Sequence, residues 1–186
     1  MKIIGITGSI ASGKTTVANL IAGKKYPLFS ADRVVANLYK KKNFIRLLIN
    51  RFKLNKSKNI KEQIKSLIKK NKKIIFKLEA MIHPLVRREM KIFLKKEKKF
   101  LILEIPLLIE SKLSKHFDKV IFVDTKKTTR LKRYLKKNGN KKTFNLLNKR
   151  QVSPTIKKKL CDFTINNNNS LAILKRNVKN LMKDYE

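Results

Sequence analysis

Eight residues constrain this chain more than any others. Gly8-Ser9-Ile10-Ala11-Ser12-Gly13-Lys14-Thr15 fits the pattern G-x-x-x-x-G-K-[ST] at every fixed position. The run before it, Lys2 to Thr7, is short and β-branched and reads as a buried strand. The run after it, Lys14 to Lys24, carries Val17, Leu20 and Ile21 at helical spacing. A strand that turns through glycines into a helix makes a phosphate cradle. The N–H groups of residues 11 to 15 point out of a helix N-terminus, where the dipole favours anions. Gly8 permits the sharp exit from the strand, and Gly13 keeps a Cβ out of the way of a phosphate. In such a loop Lys14 sets a point charge against β- and γ-phosphates, and the Thr15 hydroxyl is placed to ligate Mg²⁺.

The rest of the sequence fits around that unit. Leu28 to Ser30 is a second short strand, ending at Ala31-Asp32. Val34 to Phe52 reads as one helix, and Asn55 to Asn59 as a polar breaker. Ile60 to Lys99 reads as helix again, with Leu78, Met81, Ile82, Leu85 and Val86 on one face. Pro84 predicts a kink or restart near His83, because the residue before a proline resists the αR region. Phe100 to Ile105 is apolar on both faces, as in a parallel sheet. Val120 to Asp124 and Phe163 to Ile165 are further strands. Thr128 to Lys137, Thr143 to Arg150 and Leu171 to Met182 are further helices.

This alternation predicts an α/β fold with a doubly wound, parallel, five-stranded sheet. It gives a single domain: a core of 1–33, 100–125 and 160–186, a helical insertion at about 34–99 and a helical lid at about 126–158. There is one cysteine, Cys161, so no intrachain disulfide forms, which fits a reducing, cytoplasmic setting. No secretion signal is read, since Met1-Lys2 runs at once into a strand. No apolar run approaches the ~20 residues of a membrane span.

The charge is extreme: 48 Lys+Arg against 12 Asp+Glu, a formal +36. One reading is a phosphate-rich partner, nucleic acid or a polyanionic metabolite. The other is coding bias, since Lys, Ile and Asn share A/T-rich codons and the lysines are scattered over every segment. The aromatic residues do not interleave with the basic ones as a base-stacking platform requires. The expectation is therefore no specific nucleic acid and no membrane.

With acids so scarce, those at strand ends stand out: Asp32, Glu104, Glu110 and Asp124. Ligands of parallel sheets bind at the carboxyl ends of strands. Asp32 there can accept a proton from an acceptor hydroxyl and help hold Mg²⁺, or it can cap the helix that follows. Glu104 suits the metal or its water shell. Glu110 divides evenly between a site residue and a surface one. His83 is a substrate contact or a packing residue at Pro84. With two histidines in the chain, a metal cluster is not expected. Arg130, Arg133 and Lys137 share one helix face, a mobile cationic lid or a solvated basic face.

Taken together, these blocks resemble the dephospho-coenzyme A kinase family of P-loop kinases, over Met1 to Asn167. The opening Ile-Ile-Gly-Ile-Thr-Gly-Ser-Ile-Ala-Ser-Gly-Lys-Thr is similar to the family's loop, and Ser30-Ala31-Asp32 to its Asp-Ala-Asp segment. Leu78 to Arg87, with His83-Pro84, resembles its coenzyme-binding helix. Ile105 to Glu110 resembles its Pro-Leu-Leu-x-Glu motif. Gln151, Lys157 and Asp162 through Asn167 follow its terminal spacing. Ser30 stands where the family has Asp, Glu104 where Asp is usual, Leu147 and Lys137 where Arg is usual.

The resemblance implies phosphoryl transfer from ATP to the ribose 3′-hydroxyl of dephospho-CoA, giving CoA. It implies Asp32 as the base. It implies Ala11, Ser12, Gly13, Lys14, Thr15, Thr16, Arg133 and Lys137 on ATP, with Asn167 near the adenine. Asp32, His83, Arg87, Leu107 and Glu110 fall to the substrate, and Thr15, with Asp32 and Glu104, to Mg²⁺. A cytoplasmic monomer is expected.

Overall fold

A computed structural model describes residues 1–183. In chain order its elements begin with β1 (Lys2–Gly8), α1 (Lys14–Ala22) and β2 (Leu28–Ser30). Four helices follow: α2 (Ala31–Leu38), α3 (Lys42–Phe52), α4 (Ile60–Lys70) and α5 (Ile74–Leu94). Then come β3 (Phe100–Glu104), β4 (Lys119–Asp124), α6 (Lys127–Leu135) and α7 (Lys141–Lys149). The chain ends with α8 (Pro154–Leu160), β5 (Phe163–Asn166) and α9 (Leu171–Lys183). It divides into two compact units, Ala31–Lys95 and the residues on either side of it.

In the first unit the sheet has five strands in the order β2-β3-β1-β4-β5, every pairing parallel, with helices on both faces. β3 is buried along its whole length, which is why its sequence is continuously apolar up to Glu104. Val17, Ala18 and Ile21 of α1 and Leu174 and Val178 of α9 join Ile4, Ile6, Ile102, Ile121 and Val123 in one core. β1 lies between β3 and β4, so the carboxyl ends of three neighbouring strands open beside the loop that follows β1.

The second unit is helical. Its core is Leu38, Phe44, Leu48, Leu54, Ile64, Leu78 and Ile82, all apolar. Two sequence expectations are corrected here. Val34 to Phe52 is two helices: Lys41 is extended (φ −82°, ψ 119°), and the turn brings the Tyr39 and Phe44 rings edge to face at 5.5 Å. The break in Ile60 to Lys99 falls at Asn71–Lys73, where the Asn71 side chain accepts from Lys73 N–H at 2.9 Å. The helix does not restart at His83. α5 runs through Pro84 and tolerates the missing N–H. Its neighbours Leu78 and Ile82 hold it by apolar burial.

Two further corrections concern the later helices. α8 was not foreseen, although Ser153 caps it (Ile156 N–H to Ser153 Oγ, 3.3 Å) and Pro154 opens it. α6 ends at Leu135, short of Lys137.

Candidate active site

Every strand of the sheet places a residue at the loop after β1 or at a residue bonded to it. The loop itself is held in an unusual shape. Ala11 has φ 59°, the left-handed region, and Gly13 has φ 91°. A side chain at Gly8 would meet the Val123 carbonyl 2.8 Å away, so glycine is required there by the approach of β4. At Gly13 the space a Cβ would fill is taken by the Asn167 amide. Gly13 therefore serves the packing of Asn167, just after β5, against the loop. Lys14, buried, donates to the Ser9 carbonyl at 3.2 Å across the loop.

From β3, Glu104 is 1% exposed and both its oxygens are used. Oε1 accepts from the Thr15 hydroxyl at 2.6 Å, and Oε2 from the Ser30 hydroxyl of β2 at 2.9 Å. Glu104 and Ser30 also face each other in the strand register. Ser30, in place of the usual Asp, thus supplies a donor where a second acid would repel Glu104. From β4 and β5, the Thr125 hydroxyl and the Asn167 amide both donate to the Ser12 carbonyl, at 2.9 and 2.8 Å. Arg133 donates to the Ser12 and Asn167 carbonyls at 3.4 and 3.0 Å.

Arg130, foreseen only as part of a cationic face, is buried and committed to the loop. Its guanidinium donates to the Thr125 and Ile10 carbonyls at 3.0 and 3.3 Å and to Asn148 Oδ1 at 2.8 Å. Burial lowers its pKa and Asp124 raises it; an arginine in that balance stays charged. Gln151 Oε1 accepts from the Ile10 N–H at 2.8 Å. Gln151 and Thr125 are bonded to the loop, which sequence reasoning missed; the one available signal for Thr125 was its place just after a strand.

The other foreseen residues fall as follows. Thr16 is exposed on the first turn of α1, and Lys137 is exposed beyond the end of α6, outside this cluster. Asp124 pairs with Lys158 at 2.7 Å. Leu107 is half-buried. Glu110 Oε1 accepts from Val152 N–H at 2.9 Å and lies 2.8 Å from the Lys157 ammonium. Asp32 is exposed in the first turn of α2, one residue inside the helix start and therefore past the N-cap position. It follows Ser30 by two residues. On α5, His83 is half-buried and Arg87 exposed, one turn apart on one face.

A five-stranded parallel sheet whose first strand feeds a G-x-x-x-x-G-K-T loop, with a buried Lys14 inside the loop, defines a P-loop nucleotide-binding fold. The profile of the dephospho-CoA kinase family matches residues 2–172, and the chain belongs to that family. It is 33% identical over 195 residues to the dephospho-CoA kinase of Bartonella henselae, covering 99% of this chain and 100% of that one. A crystal structure from Thermus thermophilus superposes with a TM-score of 0.79 at 26% identity, over 100% of this chain and 98% of that one. The dephospho-CoA kinase from Campylobacter jejuni has the same fold, with a TM-score of 0.67 at 24% identity over 98% and 96%. The chain is thus a kinase of coenzyme A biosynthesis that uses ATP. No helix among the described residues is long and apolar enough to cross a membrane.

Proposed function

We propose that this chain binds ATP with Mg²⁺ on the loop of residues 8–15 and transfers the γ-phosphoryl group to the 3′-hydroxyl of dephospho-CoA. The observation that carries the reading is the chain of bonds Thr15–Glu104–Ser30 at the carboxyl ends of β2 and β3. A hydroxyl and a buried carboxylate 2.6 Å apart are hard oxygen donors and fit Mg²⁺. Thr15 and Glu104 would hold it, and when bound it would neutralise charge on the transferring group.

The protein's own part is mostly positioning, because a loose phosphoryl-transfer transition state asks little of the base. Lys14 and the N–H groups of residues 11 to 16 hold the triphosphate. Arg133 contributes charge from the Ser12 side, and Lys137 joins it from beyond α6. Asn167 orients the loop and borders the adenine. Asp32 takes the proton of the attacking hydroxyl and would help hold the metal. His83 and Arg87, one turn apart, bind the phosphate-bearing acceptor, and Leu107 packs against it. The protein acts as a cytoplasmic monomer, with Cys161 as an inert thiol, pushed up to about 11 by burial.

The test is an assay of ADP release with and without dephospho-CoA. Release that rises strongly with that acceptor, and not with adenosine or shikimate, is expected. Release indifferent to the acceptor contradicts the reading.

A further inference from the structure

Glu110 and Lys157 form an ion pair that the phosphoryl-transfer scheme leaves unused. Lys157 is fully buried, and its ammonium lies 2.8 Å from Glu110 Oε1 at an angle short of hydrogen-bond geometry. The second oxygen, Glu110 Oε2, is buried with no hydrogen-bond partner among the described residues. A fully buried ammonium facing one carboxylate oxygen is expensive to desolvate and is weak as a source of stability. The pair does fix one thing. Glu110 Oε1 also accepts from the Val152 N–H at 2.9 Å, so it pins the peptide that follows Gln151. Gln151 Oε1 in turn accepts from the Ile10 N–H at 2.8 Å. The other side of Ile10 is held by Arg130, which donates to its carbonyl at 3.3 Å. The next residue, Ala11, sits in the left-handed region at φ 59°, a conformation that persists only where the surroundings over-determine it.

We infer that Glu110 is a positioning residue for ATP: with Lys157 it sets the 151–152 peptide, through which Gln151 holds the apex of the phosphate loop. Glu110 then acts on the nucleotide side and not by touching the acceptor. Loss of the pair frees Gln151, relaxes Ile10–Ala11 and weakens the N–H cradle. The inference rests on the loop being the ATP site and not on the identity of the acceptor.

The experiment is calorimetric titration with ATP and Mg²⁺, without acceptor, followed by steady-state kinetics with dephospho-CoA. Glu110→Leu removes the acceptor of the Val152 N–H but alone strands a buried ammonium, so it is combined with Lys157→Met. The double variant should bind ATP about 3- to 10-fold more weakly, the size of one lost hydrogen bond to the loop. Gln151→Ala should reproduce that loss, and adding it to the double variant should add nothing. The KM for dephospho-CoA should stay within about twofold of wild type, a split that a purely structural role does not produce. Wild-type ATP affinity in the folded double variant, additive losses, or a raised KM for dephospho-CoA with ATP binding untouched would each overturn the inference. If the double variant does not fold, Lys157→Arg, which keeps the charge and displaces the carboxylate, must weaken ATP binding; unchanged affinity there overturns it too. Wild-type protein that binds ATP but ignores dephospho-CoA contradicts the proposed acceptor and leaves this inference standing.

Discussion

The two units bury different kinds of side chain. In the sheet unit Thr7, Ser9, Ser12, Lys14, Ser30, Glu104, Thr125, Arg130, Lys157 and Asn167 are all buried. In Ala31–Lys95 every buried side chain among the described residues is apolar, from Leu38 to Phe93. Burying a polar group costs free energy unless it is hydrogen-bonded. In the sheet unit Lys14, Ser30, Glu104, Thr125, Arg130 and Asn167 are bonded to the loop or to a residue that touches it. Stability alone would not call for them, and they gather around the loop proposed to hold ATP. The helical unit asks only that apolar residues recur at helical spacing. Its surface can then fill with Lys, Asn and Ile at little cost, which is where a strongly basic composition does least harm.

That contrast can be broken at four places. Asp32 is the largest. It lies exposed at the head of the helical unit, so Asp32→Asn should leave melting temperature and ATP affinity unchanged. Turnover should fall by roughly 10²–10⁴, the range for a positioned base. A variant with near-normal turnover removes Asp32 from the mechanism. Next is Glu104→Gln, which keeps the shape, deletes the charge and leaves one oxygen to accept from Thr15 or Ser30. The Mg²⁺ concentration needed for half-maximal rate should rise by about 10- to 100-fold, the usual scale for residues ordering a metal site. An unchanged Mg²⁺ titration would detach Glu104 from the metal.

The remaining two probe the helical unit. Leu48 is fully buried in its core. Leu48→Ala should cost about 2–5 kcal/mol in a denaturant melt and leave kcat per folded molecule near wild type. A large kcat loss without destabilisation would show chemistry where only packing is expected. Smallest of all, replacing exposed Lys70, Lys72 and Lys73 together with Gln should not change kcat/KM measurably. A salt-dependent fall would mean that these lysines steer the anionic substrates.

What could be read from the sequence divides along the same line. β1, the loop and α1 were legible because the motif is local: glycines, Lys14 and Thr15 fall within eight consecutive residues. The sheet was legible from short apolar runs, and Glu104 from its place at a strand end. The turn at Tyr39–Lys41 was not, because no glycine or proline marks it and its cause is the packing of Leu38 against Phe44 and Leu48. Pro84 allowed a restart that does not occur: α5 runs through it. α8 had its signal in Ser153-Pro154 and was passed over in a lysine-rich stretch. Arg130, Gln151 and Thr125 could not be assigned to the loop because their partners lie more than a hundred residues away in the chain. Spacing along a helix shows which residues share a face, and it does not show what that face meets.

The most direct test of the account is the site of the new phosphate. Wild-type protein is incubated with ATP, Mg²⁺ and dephospho-CoA, and the product is examined by phosphorus NMR and mass spectrometry, with a 3′-deoxy acceptor as control. The account predicts one phosphomonoester on the ribose 3′-oxygen, formed in step with ADP, and no transfer to the 3′-deoxy compound. Transfer to the 3′-deoxy acceptor, or ADP formed with only free phosphate, would contradict it.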